Sequence, residues 1–200
     1  NWDASEYHLP RSQVTGMIEV QPIDQLVATL LPFAHGSRVG FLKGKDFSAS
    51  KEFDAIENFL GISLQCRLVV DFAEWLRSYE ELQRNCDVLL LGNPVSIRDW
   101  DAARAREVIA ERTRIPTGAW DAWMREYALV TFATDPAEQG IWAAAAAKAI
   151  LAGRSPAEIP VVRNRKAKIF RNMAMAKQLG VVFPMEFIRQ SWAVERNISK

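Results

Sequence analysis

The 200-residue chain has only two cysteines and two histidines, and that scarcity removes several classes of protein at once. Cys66 and Cys86 make no CxxC pair and neither clusters with a histidine, so the ligand spacing of a structural zinc site is missing. They read instead as two separate buried thiols, since free cysteine commonly behaves as a small core residue. His8 and His35 have no serine or cysteine beside them in a nucleophile-elbow context, and both read as surface groups. Residues 40–45 contain glycines and lysines but lack the Gly-Lys-Ser/Thr ending of a phosphate loop. No cofactor or metal is expected. No apolar run nears the ~18 residues of a membrane span. The longest candidate, residues 141–151, is mostly alanine and is interrupted by Lys148. Neither sign of charge dominates: 25 basic and 24 acidic residues leave a formal charge of +1, so no nucleic-acid footprint is expected. A signal peptide is also missing, and the chain starts on Asn1 rather than Met. It is expected to be a processed form or a fragment.

What is present is a hydrophobic fraction of 49%, enough for a substantial core. The chain is organised around residues 38–58, RVGFLKGKDFSASKEFDAIEN. An apolar run, 39–42, has the length of a buried strand. A polar loop, 43–49, follows, and Ser50 stands where a helix N-cap belongs. In an open parallel sheet, such a strand-to-helix junction lies at the carboxyl edge, where ligands bind.

The rest of the chain repeats that pattern. Residues 1–16 read as irregular, with Trp2 and Tyr7 as large groups that should bury. A helix over 23–31 precedes the first strand, and Gly61 stops the helix that follows it. Further strands are predicted at 64–70, 88–91, 115–119 and 129–132, with helices over 72–83 and from near Asp99 to Ala110. Trp75, Trp100, Trp142 and Trp192 are assigned to helices. The alternation predicts an α/β, doubly wound, mostly parallel sheet of order 2-1-3-4-5. In that order Cys66 and Cys86 lie apart, which argues against a disulfide. After Phe132 the texture changes. Asp135-Pro136 starts a long helix to about Ala152. A basic extended stretch covers 161–170, a short helix ends at Gly180, and a last helix runs from Pro184 to about Trp192.

The ordered set of residues resembles a known family. Its pieces are Val14-Thr15-Gly16, the helix ending Leu30-Leu31-Pro32, Arg38-Val39-Gly40, Phe59-Leu60-Gly61, Asp87-Val88-Leu89 and Ile115-Pro116. They continue with Gly140 and its alanine helix, Ile150-Leu151-Ala152-Gly153, Ile159-Pro160, Asn172, and Ala176-Lys177-Gln178-Leu179-Gly180-Val181 leading to Pro184. Together they resemble the extracytoplasmic substrate-binding proteins of ABC importers, in the branch that includes tryptophan- and tyrosine-type binding proteins. The likeness spans nearly the whole chain. It departs at Tyr127-Ala128, where the family carries a glycine-alanine pair, and at the start, where only residues 1–14 precede the Thr-Gly segment. The resemblance therefore implies a periplasmic-binding-protein type I-like fold with one complete lobe and the C-terminal parts of a second. Residues 1–16 are expected to be a leader and interlobe crossover, 17–132 the α/β lobe, and 133–200 helical segments returning to an incomplete other lobe. A homodimer, or a missing N-terminal half-lobe, would complete it.

The implied function is solute binding without catalysis, with an amino-acid-like or aromatic ligand in an interlobe cleft and an ABC permease as partner. The implied location is periplasmic or extracytoplasmic, and a lipoprotein anchor is compatible with it. The alternative is a ligand-sensing input domain of a signalling receptor with the same fold. Candidate ligand-binding residues sit at three junctions. Phe47, Ser48 and Ser50 offer an aromatic wall, hydroxyls and helix N–H groups suited to an anion; the plainer reading of Ser50 is a cap. Asn93 supplies a donor and an acceptor, or only turns the chain before Pro94. Trp120, Asp121 and Trp123 can stack a ring or cover an ammonium group, or pack a core. Asp46, Asp71, Asp121 and Asp135 each stand at a helix start, which explains them without catalysis.

Overall fold

A computed structural model describes residues 8–194. It divides into two compact units. The first holds residues 8–22 with 134–167, and the second holds 23–133 with 168–194. Trp2 and Tyr7 lie outside the described residues.

The second unit contains most of a seven-stranded sheet, and its elements follow from local signals. Helix α1, Ile23–Leu30, buries Ile23, Leu26, Val27 and Leu30, one stripe at helical spacing. Strand β2, Val39–Gly44, is buried along its whole length, as a strand covered on both faces must be. (β1, Met17–Ile18, belongs to the first unit.) Helix α2, Ala49–Leu60, ends on Gly61, whose φ of 64° is the left-handed conformation that glycine adopts without strain. Strand β3, Leu64–Val69, leads to α3, Phe72–Asn85. Asp71 caps α3 by accepting the Glu74 N–H at 2.9 Å, and Glu74 reaches back to accept the Val70 N–H at 2.9 Å. Strand β4, Val88–Leu91, is followed by α4, Ala102–Arg112, capped by Asp101 rather than Asp99. Strands β5, Thr117–Ala119, and β6, Val130–Thr134, complete the predicted five. Pro116 lies outside β5, which is why that strand is shorter than the sequence suggests.

Neighbours run β3-β2-β4-β5-β6, the predicted 2-1-3-4-5, and the pairings β2–β3, β2–β4, β4–β5 and β5–β6 are all parallel. The sheet then continues. Strand β8, Ala167–Asn172, is the neighbour of β6, and β9, Ser191–Val194, pairs parallel with β8. This corrects the expected boundary: residues 168–194 join the α/β unit instead of returning with 133–167 to another lobe. The cause is backbone pairing. The Asn172 N–H reaches the Leu129 carbonyl at 2.9 Å, and Arg171 ties the turn before β9 through the Ile188 carbonyl and the Ser191 hydroxyl. Trp192 is thus a strand residue and Trp100 lies in a loop, whereas Trp75 and Trp142 are helical as read. Between β8 and β9 stand α6, Met173–Leu179, and α7, Met185–Gln190.

In the first unit, β1 pairs parallel with β7, Val162–Arg163, and α5, Pro136–Leu151, packs on β1. None of the residues of α5 is buried.

The two faces of the large sheet separate the cysteines. Phe41, beside the α2 residue Phe53 at 5.9 Å, is the register partner of Cys66. A Cβ on the adjacent Gly40 would stand 2.9 Å from Cys86 Sγ, so that sulfur lies across the opposite face. Both cysteines are free, and burial pushes each thiol up to about 11. Both should therefore stay protonated near neutral pH. A thiol reagent is expected to label them slowly in the folded chain and fast after unfolding, with mass spectrometry finding two free thiols. A fast native thiol, or a Cys66–Cys86 bond, would contradict this placement.

Candidate functional site

Strands β2, β4 and β5 are consecutive and parallel, so the loops that follow them leave the same edge of the sheet. This carboxyl edge carries every residue that the sequence reading selected.

The loop after β2 is shaped by Asp46. Its Oδ1 accepts the Ser48 N–H at 2.9 Å and the Ser48 hydroxyl at 2.8 Å. Ser48, not Ser50, occupies the cap position of α2, and its side chain makes no cap bond. Ser50 is exposed within the first turn. Burial works to raise the Asp46 pKa, but the Ser48 bonds and the Lys43 ammonium outweigh it and hold the carboxyl below its usual range. The chain's own carboxylate therefore stands where the sequence reading put an incoming anion. Phe47, next to it, is 94% exposed.

Lys43 was missed by the sequence reading, which took residues 39–42 as a strand and 43 as loop. It lies in β2 and is 8% exposed. Its ammonium donates to Glu52 in the first turn of α2 and lies 4.0 Å from Asp46 Oδ2. The only local signal was a lysine directly abutting an apolar run.

The loop after β4 crosses the edge. A Cβ on Gly44 would come within 2.3 Å of Ser96 Oγ and 2.9 Å of Ile97, so only glycine lets this loop pass over the end of β2. Farther on, the Arg98 N–H donates to the Val70 carbonyl at 3.0 Å, and the Phe72 N–H donates to the Arg98 carbonyl at 3.1 Å. Asn93 is half-buried, and its Oδ1 accepts the Val95 N–H at 2.8 Å. The turn reading therefore holds for its oxygen. That turn leaves Val95 82% exposed.

After β5, two neighbouring tryptophans separate. Trp120 is 4% exposed and stacks on Phe41, with ring centroids 5.9 Å apart and planes 15° from parallel. It is a core residue. Trp123, in the short 3-10 helix Ala122–Glu126, is 46% exposed. Asp121 precedes that helix, half-buried, without a side-chain cap bond.

His8 and His35 are exposed, and among the described residues no group of three or more His, Cys, Asp or Glu can hold a metal ion. Among the described residues no helix is long and apolar enough to cross a membrane. An open concavity of about 590 Å³ lies in the first unit, with Leu9, Ile18, Glu158 and Arg163 among its lining. None of the selected residues lines it. The edge of β2, β4 and β5 is the candidate site: its loops carry the exposed apolar side chains Phe47, Val95 and Trp123 together with hydroxyl, amide and carboxylate groups.

The sequence profile of the family described as ABC transporter substrate binding protein matches residues 4–194. The chain belongs to this family. Membership places it among substrate-binding proteins of ABC transporters. A search of curated proteins finds no match. Among solved structures, the ligand-free, open form of CD0873, a substrate-binding protein with adhesive properties from Clostridium difficile, is 18% identical. It has a TM-score of 0.74, over 96% of this chain and 68% of that one. A conserved domain protein from Vibrio cholerae O1 biovar El Tor is 18% identical, with a TM-score of 0.61 over 92% and 66%. An ABC domain from Streptococcus pneumoniae, solved in complex with L-Trp, is 18% identical, with a TM-score of 0.57 over 91% and 63%. These likenesses support the α/β, mainly parallel fold. The chain spans about two thirds of the length of these relatives.

The two tryptophans give a direct check on the geometry. Trp120→Ala should cost about 3–5 kcal/mol of folding stability, the range for an aromatic removed from a packed core. Trp123→Ala should change stability by only about 0.5 kcal/mol or less. Urea unfolding of both variants measures this, and equal losses would refute the division.

Proposed function

We propose that this chain is the ligand-binding part of an extracytoplasmic solute-binding protein of an ABC importer. It holds a small amino-acid-like or aromatic molecule at the carboxyl edge of β2, β4 and β5, without chemical change, for delivery to a membrane permease. The observation that carries this reading is the exposure of Phe47, Val95 and Trp123 on loops after three adjacent strands. Ser48, Ser50, Asn93 and Asp121 belong to the same three strand-end segments. Large apolar side chains exposed at one edge of a sheet offer a surface that an apolar ligand can cover. The L-Trp complex of the distant Streptococcus pneumoniae relative supports an aromatic amino acid as the first probe. Family membership supports the extracytoplasmic setting and the permease partner.

The same reading includes a completed first unit. Two parallel strands are marginal alone, and α5 buries none of its residues, with Ile141 67% and Leu151 88% exposed. We take the natural protein to add a half-lobe of the same α/β type to this unit. Strong amide protection of α5, equal to that of α3, in a chain sedimenting as a monomer would sink that part.

A thermal-shift screen against amino acids and related aromatic compounds tests the binding, since a ligand for the native state alone raises the midpoint. With a ligand in hand, Asn93→Ala should weaken binding by about 1–3 kcal/mol. Trp123→Ala should weaken an aromatic ligand by about 0.5–1.5 kcal/mol more than an aliphatic one. Calorimetry showing unchanged affinity in both variants would move the site away from this edge.

A further inference from the structure

We propose that Lys43 is a positioning residue for ligand recognition, one side chain that holds the β2–α2 loop and the β4–α4 loop in a single arrangement at the carboxyl edge. This rests on the reading that the edge binds a small amino-acid-like molecule. The side chain of Lys43 is 9% exposed, too enclosed to serve as a ligand's own partner. Its two ends do different work. The ammonium donates to Glu52 in the first turn of α2 and stands 4.0 Å from the Asp46 carboxylate, which in turn fixes Ser48. The aliphatic stem lies against the backbone of the other loop. A Cβ on Gly92 would sit 2.8 Å from both Cβ and Cγ of Lys43 and 3.0 Å from Cδ. Gly92 leads directly into Asn93 and its turn, and the Gly92 N–H donates to the Leu42 carbonyl at 2.8 Å.

Packing alone does not call for a charge here. Phe41, two residues earlier on the same face of β2, contacts Phe53 and Trp120 through apolar surface. A methionine at 43 would fill the same channel. Burying an ammonium costs desolvation that its partners must offset, and a buried ion pair is weak grounds for stability. What the pair adds is direction. The Glu52 carboxylate has one buried cation to meet, so the start of α2 is fixed in register with β2, and the stem carries that registration to Gly92. Displacing Lys43 therefore moves residues 46–48 and 92–95 together.

Amide hydrogen exchange on the ligand-free chain decides this. Two variants are compared with the parent: Lys43→Met, which keeps the stem and removes the charge, and Lys43→Met/Glu52→Gln, which leaves no carboxylate stranded if the single variant fails to fold. Exchange in residues 45–52 and 92–97 is expected to quicken at least about tenfold in both segments, while α1 and α4 keep their protection, because local opening and global unfolding have separate signatures. The thermal shift given by L-tryptophan, L-tyrosine or L-phenylalanine should shrink in parallel. Uniform quickening through α1 and α4 would make Lys43 a plain stability element. Quickening of 45–52 with 92–97 unchanged would make it a clamp on α2 alone. Either result overturns the proposal. If none of the three amino acids shifts the parent chain, the ligand reading loses its support, while the exchange pattern still decides whether Lys43 holds both loops.

Discussion

The constraint on which the second unit depends is that a parallel sheet must be covered on both faces. Every residue of β2 and of β4 is buried, so the middle of the sheet offers no surface to a ligand. The coverage is close because glycines admit it. A Cβ on Gly118 would meet Leu30 at 2.6 Å and Leu26 at 3.0 Å, so α1 lies almost directly on the β5 backbone. On the other face, Gly40 gives the same room to Leu82 and Cys86 of α3 and its cap. With both faces sealed, the strand ends are what remain, and the loops at the carboxyl edge inherit the exposed aromatic and polar groups.

The same constraint explains what was legible in the sequence. Buried strands read as short apolar runs, and the covering helices repeat at helical spacing, so the five central strands and their order could be read from pattern. Ends were misread where a local choice competed. Ser50 looked like a cap, but Asp46 turns the chain two residues before Ser48, and the helix starts at Ala49. The placement of β8 and β9 was not legible. Residues 161–170 are extended and basic, as read, but nothing local says that the edge of β6 is the partner, because strand addition is decided by backbone groups common to all sequences.

The loop positions of the candidate residues were legible, and their exposure much less so. All seven selected residues fall at the carboxyl ends of β2, β4 and β5. Which of them face outward depends on packing that a one-dimensional pattern does not encode. Trp120 and Trp123 differ by three positions and have the same chemistry. Trp120 follows β5 on the face that already holds Phe41, and the stacked pair seals the core. Trp123 is one turn later, in a helix that the core has no room to cover.

Charge is distributed along this edge in the same economical way. The N-terminus of α2 has its positive end met by Asp46 and Glu52. Two acids so close would repel each other, and Lys43 stands within reach of both. The three groups together carry a formal charge of −1, and the one cation among them is enclosed. The outer surface of the junction is shared by Phe47, Ser48 and Ser50 with the exposed Lys45, Asp46 and Lys51. With Lys45 and Lys51 exposed beside Asp46, no single sign of charge dominates this junction. Selectivity at the proposed site would then rest on contact, with the exposed apolar side chains and a few donors and acceptors deciding what is retained.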